Sequence, residues 1–397
     1  MARSTDEVLT ALLDGLEREL PRAVELRHRL HALPELSHAE EQTAASIAAE
    51  MPVPCTTGAG TGLLATIGSA DRRPVGARAE LDGLPIVEQT GAPFSARGAT
   101  MHACGHDVHM AALVALARAA HALEVELPAP LLAIFQPSEE VHPSGAAELA
   151  RGPLADLKPA AVVAAHVHPE LAWGTVALDA GVVNASYDSV LITIDGQPSH
   201  GAYPHQGRDP ILALAQVVVA LHAQLGRRID PTHPATLSVG ELEGGSGENV
   251  MPARTRARAA LRAYRPEDRL TLRAMVEEVV AGVAAANGCR ATVEIAPSEP
   301  ALENDAAVVA AGRRLLPGAG LAVAPEWRSC GSDDFAFFGE LGPVAMGFVG
   351  LDGAPGFEVR PLHHPELLPP DDAVGAVART LAVLFLAAAA ASAEASP

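Results

Sequence analysis

Four short stretches of the chain hold most of its metal- and proton-handling side chains. In MHACGHDVHMA, Cys104 and His106 stand two apart, immediately before an apolar helical run. A thiolate and an imidazole so placed can face one divalent ion. Asp107 follows at the helix start, where a carboxylate can cap N–H groups or orient His106. His102 and His109 are nearby and need not be ligands. In LLAIFQPSEE, Glu139 and Glu140 follow an apolar strand and emerge at the carboxyl end of a sheet, where open α/β sheets gather their sites. One carboxylate can bind a metal while its neighbour takes a proton from water. In VVAAHVHPE, His166 closes a second apolar strand, and His168 is expected to point elsewhere. In PLHHPELLPPDD, His363 and His364 sit in a Pro-rich loop. Singly, each stretch has an ordinary explanation: a capped helix with a buried Cys, a solvated acidic loop, a pair of loop histidines. Together, Cys104, His106, Glu140, His166 and His363 exceed what one tetrahedral ion needs, and a spare glutamate suits a hydrolytic two-metal site.

The elements that must position them alternate helix and strand. Residues 5–32 read as a long helix. Strands follow at 62–67 and 75–80, a helix begins near Asp107, and further strands fall at 130–135 and 160–165. Strands separated by helices suggest a mostly parallel sheet covered on both sides. After residue 182 the order becomes β-α-β-β-α-β, the split arrangement of a small open sandwich. Helix and strand signals of the first kind resume after Pro300 and end in a helix from Asp372 to about Ala390. The segment ASAEASP beyond it is expected to lack structure.

The chain has 397 residues, 49% of them apolar, which favours two domains over one core. The formal net charge of −20 repels phosphate backbones and anionic lipid, so neither nucleic acid nor a membrane surface is an expected partner. No run of about 18 residues reads as a membrane span. The first twenty residues read as an amphipathic helix rather than a leader, and the four scattered cysteines do not suggest a disulfide framework. The expected location is cytoplasmic.

These motifs carry a family resemblance over nearly the whole chain. RHRLHALPELSHAEEQTA, RAELDGLP, MHACGHDVHMA, FQPSEE, AHVHPE, SHGAYPHQGRDPI, GGSGENVMP, GSDDFAFF and LHHPELLPPDD occur in order. The chain resembles the zinc/manganese amidohydrolases that include hippurate hydrolase, N-acyl-L-amino-acid amidohydrolases, indole-3-acetyl-amino-acid hydrolases and N-acetyldiaminopimelate deacetylase. The wider group holds aminoacylase and the co-catalytic metallocarboxypeptidases. The resemblance implies an α/β catalytic domain over residues 1–182 and 298–397, with a mostly parallel sheet and flanking helices. A smaller α+β ferredoxin-like lid and dimerisation domain over 183–297 would interrupt it.

The resemblance also implies roles. Cys104, His106, Glu140, His166 and His363 would hold two divalent ions, zinc or manganese, with cobalt or nickel accepted in vitro. Glu139 would be the general base. His200 would stabilise the oxyanion, possibly from the second subunit of a homodimer joined through the lid. Asn249 would help hold the substrate carboxylate. Arg262 is a second candidate for that task, against the plainer reading of an exposed strand residue. The expected reaction is hydrolysis of a small N-acyl amino acid, with a metallo-exopeptidase (dipeptidase or carboxypeptidase) and a catalytically inactive metal-binding module as alternatives. Two departures stand out: Glu80 replaces the family's aspartate, and Ser138 replaces the alanine before the glutamate pair.

Overall fold

Strands buried on both faces favour apolar residues, as in Leu131–Gln136, and the equally buried Val75–Glu80 departs from that rule at Arg78 and Glu80. The computed structural model describes residues 4–69, 71–123 and 127–394. The chain divides into two units. The first comprises residues 1–181, Glu303–Trp327 and 334–397; the second comprises Val182–Leu302 and Arg328–Asp333. Residues 298–302 and the short stretch Arg328–Asp333 thus group with the second unit, whereas the sequence reading placed them in the catalytic domain.

The first unit holds an eight-stranded sheet. Its order is Thr56–Thr57, Leu63–Ile67, Leu131–Gln136, Val75–Glu80, Ala161–Ala172, Val344–Asp352, Thr175–Ala177, Ala322–Val323. The four central strands run parallel, and antiparallel pairs lie toward the edges. One face packs against the helices Thr5–Ala32, His106–His121, Ala306–Leu315 and Asp372–Glu394 through Ala77, Ala79, Phe135, Val163 and Val167. Side chains alternate along a strand, so Arg78, Glu80, Gln136 and His166 share the opposite face. His168 also falls on that face, which corrects the expectation that it points away from His166. Its ring meets Trp327 edge-on at 4.7 Å.

The final helix extends to Glu394, four residues past its expected end; residues 395–397 lie outside the described residues. By length and composition this helix and Pro210–Arg228 are apolar enough to cross a membrane, which corrects the reading that no such run exists. For the final helix the cause is burial: Leu381, Leu384 and Phe385 are fully enclosed in the first unit.

The second unit is a four-stranded antiparallel sheet, ordered Ala235–Gly244, Arg254–Ala263, Ser186–Asp195, Arg290–Pro297. The helices Pro210–Arg228 and Pro266–Ala286 close its own core through Leu214, Val217, Leu272 and Val276. Asp209 caps the first of these by accepting from the N–H groups of Ile211 and Leu212, and Pro210 occupies the position where a missing N–H costs nothing.

Candidate metal centre

Gly105 turns the chain between Cys104 and His106. Its φ is +81°, and a Cβ there would lie 2.6 Å from Val167 Cγ2, so a side chain is excluded on both counts. The turn lets both neighbours face inward. His106 Nδ1 donates to the backbone oxygen of Asp82 at 2.8 Å, which leaves the lone pair on Nε2. His166 Nδ1 donates to its neighbour Val167 O at 2.7 Å, so its Nε2 carries the lone pair too. That nitrogen lies 3.5 Å from Cys104 Sγ. The donor atoms of Cys104, His106 and Glu140 all lie within 4.8 Å of one another. His363 Nε2 stands 3.4 Å from Glu140 Oε1, and the His363 N–H donates to Ala103 O at 2.8 Å. Glu139 Oε2 and Glu140 Oε1 each lie 3.9 Å from His106 Nε2. The structure therefore gathers Cys104, His106, Glu139, Glu140, His166 and His363 into one cluster.

The cluster contains buried polar atoms that lack a hydrogen-bond partner among the described residues: Asp82 Oδ1, His106 Nε2 and Glu140 Oε1. At 3.4 Å the His363–Glu140 contact is an ion-pair distance rather than a good hydrogen bond. Each orphaned atom costs about 1–3 kcal/mol. A divalent cation offers a partner to such lone pairs, and the donor set of one thiolate, three imidazoles and carboxylates fits it. Burial drives the His166 pKa well below its ordinary value, aided by the nearby His109 and His106, which keeps the ring in its neutral, ligating form. Burial opposes ionisation of Glu140, yet His363 and His106 hold its carboxyl below the usual range.

Behind the cluster lies a buried polar layer that the sequence reading did not identify. Arg78 Nε donates to Gln136 Oε1 at 2.7 Å, and its other nitrogens bond Glu80 and Asp334. Gln136 and Ser144 also donate to Asp334. Glu80 accepts from His109 Nδ1 at 2.8 Å, and His109 Nε2 accepts the Val167 N–H at 3.0 Å. Glu80, His106, His109 and His166 are mutually close, but both nitrogens of His109 are occupied, so proximity alone does not make it a ligand. Asp82 Oδ2 accepts from Ser37 Oγ at 2.6 Å and from Glu140 N at 3.0 Å. The available signal was the segment RAELD, in which charged residues 78, 80 and 82 alternate with Ala and Leu and so share one face.

His200 and Asn249 belong to the second unit, where they meet. The strands Ser199–His200 and Val250–Met251 pair, and Asn249 Nδ2 lies 3.2 Å from His200 Nε2. His200 is exposed. Arg262 sits at the opposite end of its strand from this pair, since Arg254 aligns with Asp195 and Arg262 with Tyr187. It is half-buried rather than an exposed strand residue. Its guanidinium lies 4.9 Å over the Tyr187 ring and donates to Cys330 O at 3.0 Å.

The profile of peptidase family M20/M25/M40 matches residues 76–390. N-acetyl-L-cysteine deacetylase of Bacillus subtilis (strain 168) is 33% identical over 359 residues, covering 89% of this chain and 84% of its own. N-acetyldiaminopimelate deacetylase of Bacillus pumilus (strain SAFR-032) is 30% identical over 372 residues, covering 91% and 96%. Among solved structures, Bacillus subtilis YXEP protein, described as a dinuclear metal binding peptidase from the M20 family, superposes with a TM-score of 0.78 at 28% identity, over 93% of this chain and 98% of that one. A donor cluster of this make-up, a two-unit architecture and these likenesses lead to one conclusion: the chain belongs to peptidase family M20/M25/M40 and is a metal-dependent hydrolase of amide bonds.

Proposed function

We propose that the protein hydrolyses the amide bond of small N-acyl amino acids, with two divalent ions held by Cys104, His106, Glu140, His166 and His363. The observation that carries this reading is the convergence of those five donors with one further carboxylate, Glu139, beside them. Bound metal supplies Lewis acidity to the amide carbonyl and to the attacking water. Glu139 takes a proton from that water and passes it to the leaving amine. Asp82 O holds His106, and Val167 O holds His166, each with Nε2 toward the cluster. His200 donates to the developing oxyanion, and Asn249, its partner at 3.2 Å, binds the substrate carboxylate. Arg262 is the weaker candidate for that anion, because its guanidinium already serves Cys330 O and Tyr187.

The relatives named as deacetylases of N-acetylcysteine and N-acetyldiaminopimelate support an acetylated amino acid as substrate. Thiolate and imidazole donors support zinc, and carboxylates admit manganese. A homodimer through the second unit is supported by an outer edge of Ala235–Gly244 that pairs with no other described strand, and by the helix Pro210–Arg228, where Val219 is 70% exposed.

The test is to strip the protein with chelator and restore zinc, manganese, cobalt or nickel. Each form is offered N-acetyl, N-benzoyl, long-chain acyl and indole-acetyl amino acids, with dipeptides alongside, and release of free amine is followed. Metal-dependent release from an acyl amino acid is expected. Release from dipeptides alone would replace this reading with the exopeptidase, and no release despite bound metal would replace it with an inactive module.

A further inference from the structure

The motif RHRLHALPELSHAEEQTA has no part in the chemistry described above, yet its polar residues contact the segments that carry the cluster. Arg27 is fully buried. Its Nε donates to Asp107 Oδ2 at 2.8 Å, next to His106; Nη1 donates to Asp371 Oδ1 at 2.5 Å and Nη2 to Pro369 O at 2.7 Å, on the chain leaving His363. His31 faces Asp107 Oδ2 at 3.0 Å and Glu88 Oε1 at 3.1 Å with its two nitrogens. Burial alone would lower the His31 pKa, but Asp107 and Glu88 raise it to about 9, so the ring is charged at neutral pH. Ser37 donates to Asp82.

The far end of the motif grips the glutamate pair. Ser138, just before Glu139, has φ +52°, a left-handed conformation that a residue with a side chain adopts only when its surroundings enforce it. The buried carboxylate of Glu40 accepts the Ser138 N–H at 2.8 Å through Oε1 and the Thr61 hydroxyl at 2.7 Å through Oε2. Ser138 Oγ lies 2.9 Å from both His38 N and His38 Nδ1. Those contacts use the Ser138 hydroxyl, which an alanine would lack.

We propose that residues 27–40 form a brace that sets the backbone carrying His106, Glu139–Glu140 and His363, with Glu40 as the positioning residue for the glutamate pair. This rests on the metal-site reading above. An isolated carboxylate on a surface would not need both oxygens bonded inside the fold. Glu40 reaches from the start of one helix to a loop nearly a hundred residues away, and there it bonds Ser138, whose backbone is held in an unfavourable conformation.

The experiment titrates Zn²⁺ and Co²⁺ into stripped full-length protein against a chelating dye and follows thiolate-to-cobalt absorption. Glu40→Ala is expected to bind metal about 10- to 100-fold more weakly, the usual size of a loss behind the ligands. Glu40→Gln, which keeps an acceptor for Ser138 N–H, is expected to stay within threefold of the parent protein, roughly the scatter expected without loss of that bond. Adding Ser138→Gly to Glu40→Ala is expected to recover most of the affinity, because glycine adopts positive φ without help. A general packing defect would not be rescued in this way. Unchanged affinity in Glu40→Ala, or no recovery in the double variant, overturns the brace and leaves the metal site standing. Absence of metal binding by the parent protein overturns the site itself. If Glu40→Ala does not fold, Glu40→Asp withdraws the same oxygen with the charge retained and carries the same prediction.

Discussion

Two adjacent glutamates meet different surroundings. Glu140 donates its backbone N–H to Asp82 and aims Oε1 at His363 and His106, so its carboxylate is committed to the cluster. Glu139 approaches His106 Nε2 at 3.9 Å from a side chain that keeps more exposure, as the base role proposed above requires. Glu139→Gln preserves shape and removes the proposed base. It is expected to keep its metal content by elemental analysis while kcat falls by about 10²–10⁴, the usual contribution of a positioned general base. Turnover within tenfold of the parent protein at equal metal content would remove Glu139 from that role, tenfold being roughly 1.4 kcal/mol.

At the scale of elements, the helix His106–His121 opens on a residue that only glycine can be. Gly105 combines φ +81° with a Cβ position 2.6 Å from Val167 Cγ2, and Val167 follows His166. Gly105→Ala would therefore disturb two segments that carry proposed ligands at once. It is expected to lower stability to chemical denaturation by about 1–3 kcal/mol, the cost of a strained left-handed residue, and to weaken metal binding in the same variant. Equal stability and equal affinity would show that the turn has another backbone solution.

For the whole molecule, the oxyanion role proposed for His200 carries its own prediction. If His200 serves the site of a second copy, two inactive variants should complement each other. In a statistical mixture of Glu139→Gln and His200→Ala subunits, half the dimers are mixed, and each mixed dimer has one site with both groups intact. Activity is expected to return to about a quarter of the parent level after subunit exchange. No recovery, with a dimer seen by sedimentation, would place His200 in its own subunit's site or outside the chemistry.

Much of this protein could be read from its amino-acid order. Buried strands and helices leave periodic apolar patterns, and residues able to bind a metal are chemically distinctive beside those patterns, so Cys104, His106, Glu140, His166 and His363 stand out in the sequence as candidate ligands. The interrupted β-α-β-β-α-β insertion was legible for the same reason. What the sequence could not express was pairing over long separations. That Arg78 joins Asp334, that Arg27 spans Asp107 and Asp371, and that Glu40 holds Ser138 depends on which strand lies beside which, and no local pattern encodes it. The apolar run at 372–394 shows the same limit from the other side: composition alone fits a membrane span, and only the helices and sheet packed around it show that it is core. Local periodicity and residue chemistry determined which groups could act, and tertiary packing decided which of them are held and by what.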